Sequence, residues 1–258
     1  MTTLSTLPLD HNLLCKLSYY AAGSAMPAHQ HELAQFSFLF CGQVHESTLC
    51  DEYAIYQPSL CFKPATLVHE NQYGQQGALI LSFNFATNML TDLAALTPPN
   101  YLWQPLQRTS PQQLKALLTA QLAQDTQQAT DCFWDLLSQV SSLPAYTELT
   151  PPSWLKQAQQ RLEEHDDSVP LSDIAMQIGV HPVHFSRTFK RFFHCSASEY
   201  RQRKQLDRAI LQLSQQHSLS DTALQAGFAD QSHMQRSFRR YLGATPRQLQ
   251  MLLRLKQL

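Results

Sequence analysis

The sequence lacks any Cys-x-x-Cys pair, any secretory leader pattern and any apolar run of membrane-spanning length. Each absence removes a class of protein. Six cysteines (Cys15, Cys41, Cys50, Cys61, Cys132 and Cys195) without that spacing, in a chain of 258 residues, do not make a small disulfide scaffold. They read as reduced thiols of a cytosolic protein. The stretch from Leu13 to Met26 is broken by Lys16 and has no basic segment ahead of it, which argues against a leader peptide. Nothing approaches the ~20 apolar residues a helical membrane span needs, so the expected location is the cytoplasm, with no membrane partner.

Net charge is also scarce, at −1 for the whole chain, but the balance is uneven. Residues 1–152 hold four Lys and Arg against eleven acids, a net of −7, and residues 153–258 hold fifteen against nine, a net of +6. That asymmetry suggests a basic nucleic-acid module joined to an acidic partner domain.

Three zones follow from periodicity. Up to about residue 105, short β-rich runs such as Phe36-Ser-Phe-Leu-Phe40 and Ala78-Leu-Ile-Leu-Ser-Phe83 are punctuated by Pro27, Gly42, Pro58, Pro64, Gly74 and Gly77. This predicts an all-β barrel or sandwich. Residues 110–140 change to helical period: Leu114, Leu117, Leu118 and Leu122 form one stripe, and Phe133, Leu136, Leu137 and Val140 another. These two helices either cover the barrel or pair with a second subunit. The segment 141–153, with Pro144, Pro151 and Pro152 among hydroxyl residues, reads as a linker. The chain thus divides into residues 1–140, a linker at 141–153, and an all-helical domain at 154–258.

That last domain contains a diverged repeat. Leu171-Ser-Asp-Ile-Ala-Met-Gln-Ile-Gly179 matches Leu219-Ser-Asp-Thr-Ala-Leu-Gln-Ala-Gly227, and Arg187-Thr-Phe-Lys-Arg191 matches Arg236-Ser-Phe-Arg-Arg240. Each copy has a short helix with a small residue (Ala175 or Ala223) where a second helix approaches closely. Each then has a turn glycine (Gly179 or Gly227) and an apolar plug (Val180 or Phe228). A second helix follows with apolar residues at i, i+4 spacing: Phe185 and Phe189, or Met234 and Phe238. This is the helix-turn-helix plan, whose second helix enters the major groove. Its outer face is polar and basic in both copies. Arg187 and Arg236 hold equivalent positions from which a guanidinium can read guanine. Lys190, Arg191, Arg239 and Arg240 lie further along and suit phosphates. Between the copies, Ser196-Ala-Ser-Glu199 is a capping box that opens a long connecting helix.

The stretch from about 168 to 250 resembles the DNA-binding domain of the AraC/XylS family of bacterial regulators. The second copy, Ala223-Leu-Gln-Ala-Gly-Phe-Ala-Asp-Gln-Ser-His-Met-Gln-Arg-Ser-Phe-Arg-Arg-Tyr-Leu-Gly-Ala-Thr-Pro246, carries most of the likeness. The resemblance implies seven helices, recognition helices in two successive major grooves of double-stranded DNA, and transcription activation through RNA polymerase. By position it makes Val183, Ser186 and Arg187 base readers in the first unit, and Gln231, Ser232, Gln235 and Arg236 in the second. Three positions depart from the pattern: His194 stands for a glycine, Ala197 for a proline and Gln205 for an arginine.

Residues 26–85 resemble a cupin barrel, the sensing domain common in that family. His29-x-His31, Gln35 and Gly42 fit the first cupin motif, with Gln in place of the usual Glu, and Pro64 and His69 fit part of the second. The expected fold is therefore α+β in two domains: a cupin-like β-barrel with two flanking helices, then an all-α domain with two helix-turn-helix units. The resemblance implies that His29, His31, Gln35 and His69 bind an effector. That effector is either a small molecule or a divalent transition metal on His29, His31 and His69, since neutral imidazoles suit Zn, Ni, Fe or Cu. A homodimer is expected, and no catalytic role. Two other classes stay open: a metal-dependent cupin enzyme with a DNA-binding tail, and a constitutive regulator whose β domain only dimerises.

Overall fold

The computed structural model describes residues 1–56, 58–86, 102–105, 111–140, 151–164 and 169–255. Its strands are β1 (Thr2–Asp10), β2 (Leu13–Tyr20), β3 (Ala25–His29), β4 (Ala34–Thr48), β5 (Glu52–Ile55), β6 (Ser59–Lys63), β7 (His69–Phe85) and β8 (Leu102–Pro105). Two helices flank them, α1 (Pro111–Ala123) and α2 (Thr126–Val140). Seven more follow: α3 (Ser153–Glu163), α4 (Leu171–Gln177), α5 (Pro182–Phe193), α6 (Ala197–Ser214), α7 (Leu219–Gln225), α8 (Gln231–Leu242) and α9 (Pro246–Leu255). An antiparallel sheet region followed by a helical region agrees with the two-part α+β class the sequence predicts. The expected linker falls largely on residues 141–150, outside the described residues.

The sheet runs β1-β2-β7-β4-β6-β8, with β3 paired to β7 and β5 to β4. The long strands β4 and β7 bend and pair twice, with register shifts between Leu39 and Cys41 and between Gly42 and Val44. Gly42 makes the bend possible. Its φ is +92°, and a Cβ there would lie 1.9 Å from the Gly77 carbonyl oxygen, so any side chain is excluded. The bend lets Gln35–Leu39 pair with β6 while Val44–Ser47 pair with β5. The sheet thereby curls round a cavity of about 230 Å³.

Alternation gives each strand two faces. Phe36, Phe38 and Phe40 of β4, with Leu79, Leu81, Phe83 and Phe85 of β7, turn away from the cavity. They pack on Leu117 and Leu118 of α1 and Phe133 and Leu136 of α2, with the Phe133 ring 4.8 Å from that of Phe83. The described members of the two predicted apolar stripes, Leu117, Leu118, Phe133 and Leu136 among them, therefore cover the sheet from within the same chain.

The core does not stop there. Leu206, Ile210 and Leu213 of α6, Met234 and Phe238 of α8, and Leu249 and Leu253 of α9 belong to the same continuous apolar cluster as the sheet phenylalanines. Each such side chain contributes about 1.5–3 kcal/mol on burial, which makes a docked rather than a sliding contact. Polar links cross the same boundary. The Gly42 amide donates to Asp207 Oδ1 at 2.8 Å, and Gln43 Nε2 donates to Glu163 Oε1 at 3.2 Å. Asp207 also holds the Lys204 ammonium at 3.1 Å, both side chains being 4% exposed. A second, smaller core joins α3, α4, α5 and the start of α6 through Leu155, Leu162, Ile174, Phe185, Phe189 and Tyr200.

Candidate nucleic-acid interface and the cavity behind it

Local chemistry builds the two helix-turn-helix units in the same way. In the first, Gly179 makes the turn after α4 with φ +73°, and α5 opens at Pro182 with the His181 imidazole accepting from the Val183 amide at 3.3 Å. In the second, Ser218 caps α7, Gly227 turns with φ +87°, and Asp230 caps α8 by accepting from the His233 amide at 2.6 Å. Phe185 and Phe189 point inward from α5, and Met234 and Phe238 from α8, as their spacing predicts. The opposite faces meet solvent. Val183, Ser186, Arg187, Lys190 and Arg191 are exposed on α5. Gln231, Ser232, Arg236, Arg239 and Arg240 are exposed on α8, with Gln235 half-buried. Lys190, Arg191, Arg239 and Arg240 also sit in the last turns of their helices, where cations favourably meet the helix dipole.

The units end differently. Gly243 closes α8 in the left-handed region at φ +69°, while His194 takes that conformation after α5 at φ +54°. Gln205, the residue at the usual arginine position, donates to the Gly227 carbonyl at 3.0 Å and so still braces the second turn. Sequence reading missed its neighbour Arg208. That guanidinium is 4% exposed and donates from Nε and Nη2 to the Ala226 carbonyl at 3.3 and 3.1 Å, tying α6 to the end of α7. Arg208 and Lys204 count toward the basic balance of the domain but are spent inside it.

The sheet cavity lies on the other side of the docked core. His29, His31 and His69 converge in it, each offering a ring nitrogen within 4.8 Å of the others. His29 Nδ1 lies 2.8 Å from the Pro27 carbonyl and His69 Nδ1 3.0 Å from the Leu67 carbonyl. A carbonyl only accepts, so both Nδ1 atoms carry a proton and point the two Nε2 atoms away from these carbonyls. Burial first, then the nearby imidazole and ammonium charges, lower the His31 pKa to about 4. Burial and the Lys63 ammonium bring His69 to the same value. Both rings are neutral at pH 7.

Gln35 lines the same cavity but has its amide engaged. Its Nε2 donates to Asn84 Oδ1 at 2.9 Å, and its Oε1 accepts from Ser37 at 2.8 Å. Sequence reading did not find the buried pair on the cavity wall. Lys63 Nζ sits 2.7 Å from Glu46 Oε2, and Trp103 Nε1 donates to Glu46 Oε1 at 2.8 Å. Asn71 also donates to Glu46 Oε2. Burial lowers the Lys63 pKa, but Glu46, with smaller contributions from Cys61 and Tyr20, outweighs this and the net shift is upward.

Two helix-turn-helix units with exposed basic second helices have the architecture of a DNA-binding domain. The sequence comparisons agree. A helix-turn-helix domain family matches residues 174–251. The HTH-type transcriptional regulator GbdR of Pseudomonas aeruginosa is 32% identical over 84 residues, which are 32% of this chain and 23% of that protein. The chain thus spans under a quarter of GbdR. "Probable transcription factor PqrA" of Proteus vulgaris is 31% identical over 94 residues, 36% of this chain and 74% of that one. Among solved structures, ToxT from Vibrio cholerae superposes with a TM-score of 0.40 at 12% identity, over 95% of this chain and 99% of that one. The chain belongs to the AraC/XylS family of transcription regulators.

Proposed function

We propose that this regulator is controlled by an effector held in the sheet cavity. In this reading residues 1–140 sense, 141–153 link and 154–258 bind DNA. The observation that carries it is the two-faced strand β7. His69, Asn71, Ser82 and Asn84 line the cavity, while the alternate residues Leu81, Phe83 and Phe85 lie in the core shared with α2, α6 and α8. A ligand that prefers one arrangement of this strand biases the placement of the second helix-turn-helix unit. It does so only by its differential affinity for the two arrangements.

On the DNA side, Val183, Ser186 and Arg187 read bases in one groove, and Gln231, Ser232, Gln235 and Arg236 in the next. Lys190, Arg191, Arg239 and Arg240 hold phosphates. Exposure and repeat equivalence support these roles. Arg236→Ala is expected to cost about 1–3 kcal/mol and relax preference at one base position, whereas Lys190→Ala weakens all sequences and lowers the salt slope by about one. Binding assays on fragments recovered by genome-wide mapping of bound sites check both. Parental affinity in both variants rejects the assignment.

On the effector side, His29, His31, Gln35 and His69 are the contact residues. The three imidazoles converge closely enough to suit a divalent transition metal, and backbone carbonyls orient two of them as hydrogen-bond partners orient metal-bound histidines. Two Zn–N bonds of about 2.0–2.1 Å span at most about 4.2 Å, so the rings would close slightly on an ion. Gln35, with its oxygen already accepting from Ser37, is not a free fourth ligand. A metal there would supply a Lewis-acidic anchor for an organic effector. Metal analysis of the purified protein, alongside His29→Ala, separates an ion-dependent sensor from one that binds an organic molecule alone. The same measurement addresses a metal-dependent enzyme. A non-enzymatic role, a homodimer and a contact with RNA polymerase complete the proposal. With the described stripes of α1 and α2 used inside the chain, such a dimer needs another surface. No described helix is long and apolar enough to cross a membrane.

A further inference from the structure

We infer that the sheet cavity takes a small hydrophilic organic anion, seated with its carboxylate or phosphate oxygens on Lys16. This deepens the reading of the cavity as the effector site and rests on it. The register sets Lys16, Ser82 and Ser37 in one row across β2, β7 and β4, with Asn84 and Gln35 paired in the same sense on β7 and β4. All five line the cavity. Their mutual bonds consume acceptors. The Gln35 oxygen accepts from Ser37 and the Asn84 oxygen accepts from Gln35. Each carboxamide nitrogen keeps a second N–H, and with the Ser82 hydroxyl and the Lys16 ammonium these set a row of donors beside Lys16.

Charge points the same way. The one carboxylate among the described lining residues, Glu46, is engaged by Lys63, Asn71 and Trp103. No ion pair reaches Lys16 among the described residues. Lys63 is neutralised by Glu46, so Lys16 leaves its end of the wall with a net positive charge beside a row of donors, and the complement there is an anionic acceptor. Size and polarity narrow the class. About 230 Å³ is below the usual range for drug-sized ligands. An acyl chain laid along these serines and carboxamides would leave their donors unsatisfied.

The test uses the full chain, in thermal-shift and calorimetric titrations with four sets of probes. These are C3–C6 hydroxy- and oxo-carboxylates, sugar phosphates, neutral sugars of similar size, and decanoate. Operator binding is followed in parallel. The expected result is stabilisation by the hydrophilic anions, with carboxylates and phosphates ranked by the first two sets. Affinity should fall about tenfold or more in Lys16→Gln, as loss of a charge-assisted bond implies, and recover in Lys16→Arg. Binding of neutral sugars or decanoate with unchanged affinity in Lys16→Gln overturns the anion class but keeps the cavity as effector site. Anion binding that is sensitive to Lys16 but leaves operator affinity unchanged keeps the anion site and rejects effector control. Stabilisation by no set rejects both.

Discussion

The two helix-turn-helix units share a plan but not a foundation. The first, α4 and α5, stands on its own small core with α3 and the start of α6. The second, α7 and α8, is built into the large core that also holds the sheet phenylalanines and α1 and α2. A repeat that looks symmetric in sequence is therefore asymmetric in mechanics. Among the described residues, the N-terminal region packs directly on the second unit and meets the first through α6 and the Glu163 carboxylate, which accepts from Gln43 of β4 and Tyr200 of α6. If the cavity holds the effector as proposed, its signal is expected to reach the second unit first.

The most forceful way to break this comparison is a matched pair of core deletions. Phe189→Ala and Phe238→Ala each remove a fully buried ring and should each cost about 3–5 kcal/mol. The expected difference lies in where the damage spreads. Hydrogen exchange of β4 and β7 should quicken in Phe238→Ala and stay near parental in Phe189→Ala. Equal spreading in both would dissolve the asymmetry.

A smaller effect is expected from pH. The folded pKa of His31 and of His69 is about 4, against 6.5 for a free imidazole. Between those values the unfolded chain binds more protons than the folded one, so stability present above pH 6.5 is lost as pH falls toward 4. Melting temperatures taken across that window should drop, and the drop should flatten in His69→Asn. Because α4 and α5 share no core with the cavity, their exchange rates should follow the pH change less than those of α8.

The smallest expected effect sharpens the comparison at one residue. His194 occupies a left-handed position that Gly243 occupies in the second unit. A left-handed conformation costs a side-chain-bearing residue roughly 1–2 kcal/mol. His194→Gly should therefore stabilise the first unit by about 1 kcal/mol or less once glycine's own chain entropy is counted, read as slower local exchange in α5. Destabilisation would mean the imidazole contributes more than its backbone costs.

Helices, caps and turns were legible because their rules are local. The capping box at Ser196 and Glu199 forms as the spacing predicts, and the turn glycines adopt positive φ. The inward pairs Phe185–Phe189 and Met234–Phe238 needed only the helical period. The three histidines were found through a family likeness, and the structure gathers them. The rest of the cavity was not legible, for a physical reason. Lys16, Ser37, Ser82 and Asn84 sit at the polar positions of alternating strands, a pattern that normally marks a solvent face. Only the curl of the sheet makes that face an interior. The partner of Leu206, Ile210 and Leu213 was equally hidden, because period shows that a stripe is buried and not what buries it. Lys204 and Arg208 read as basic surface until their acceptors, Asp207 and the Ala226 carbonyl, came into view.

The contact at the strand bend has a practical corollary. Gly42 lies in the sheet, yet its amide hydrogen is held by a carboxylate of α6. Its exchange with solvent thus gauges whether the two halves of the molecule are engaged, without an attached reporter group. One backbone resonance, followed while an effector or DNA is titrated, would show separation in real time.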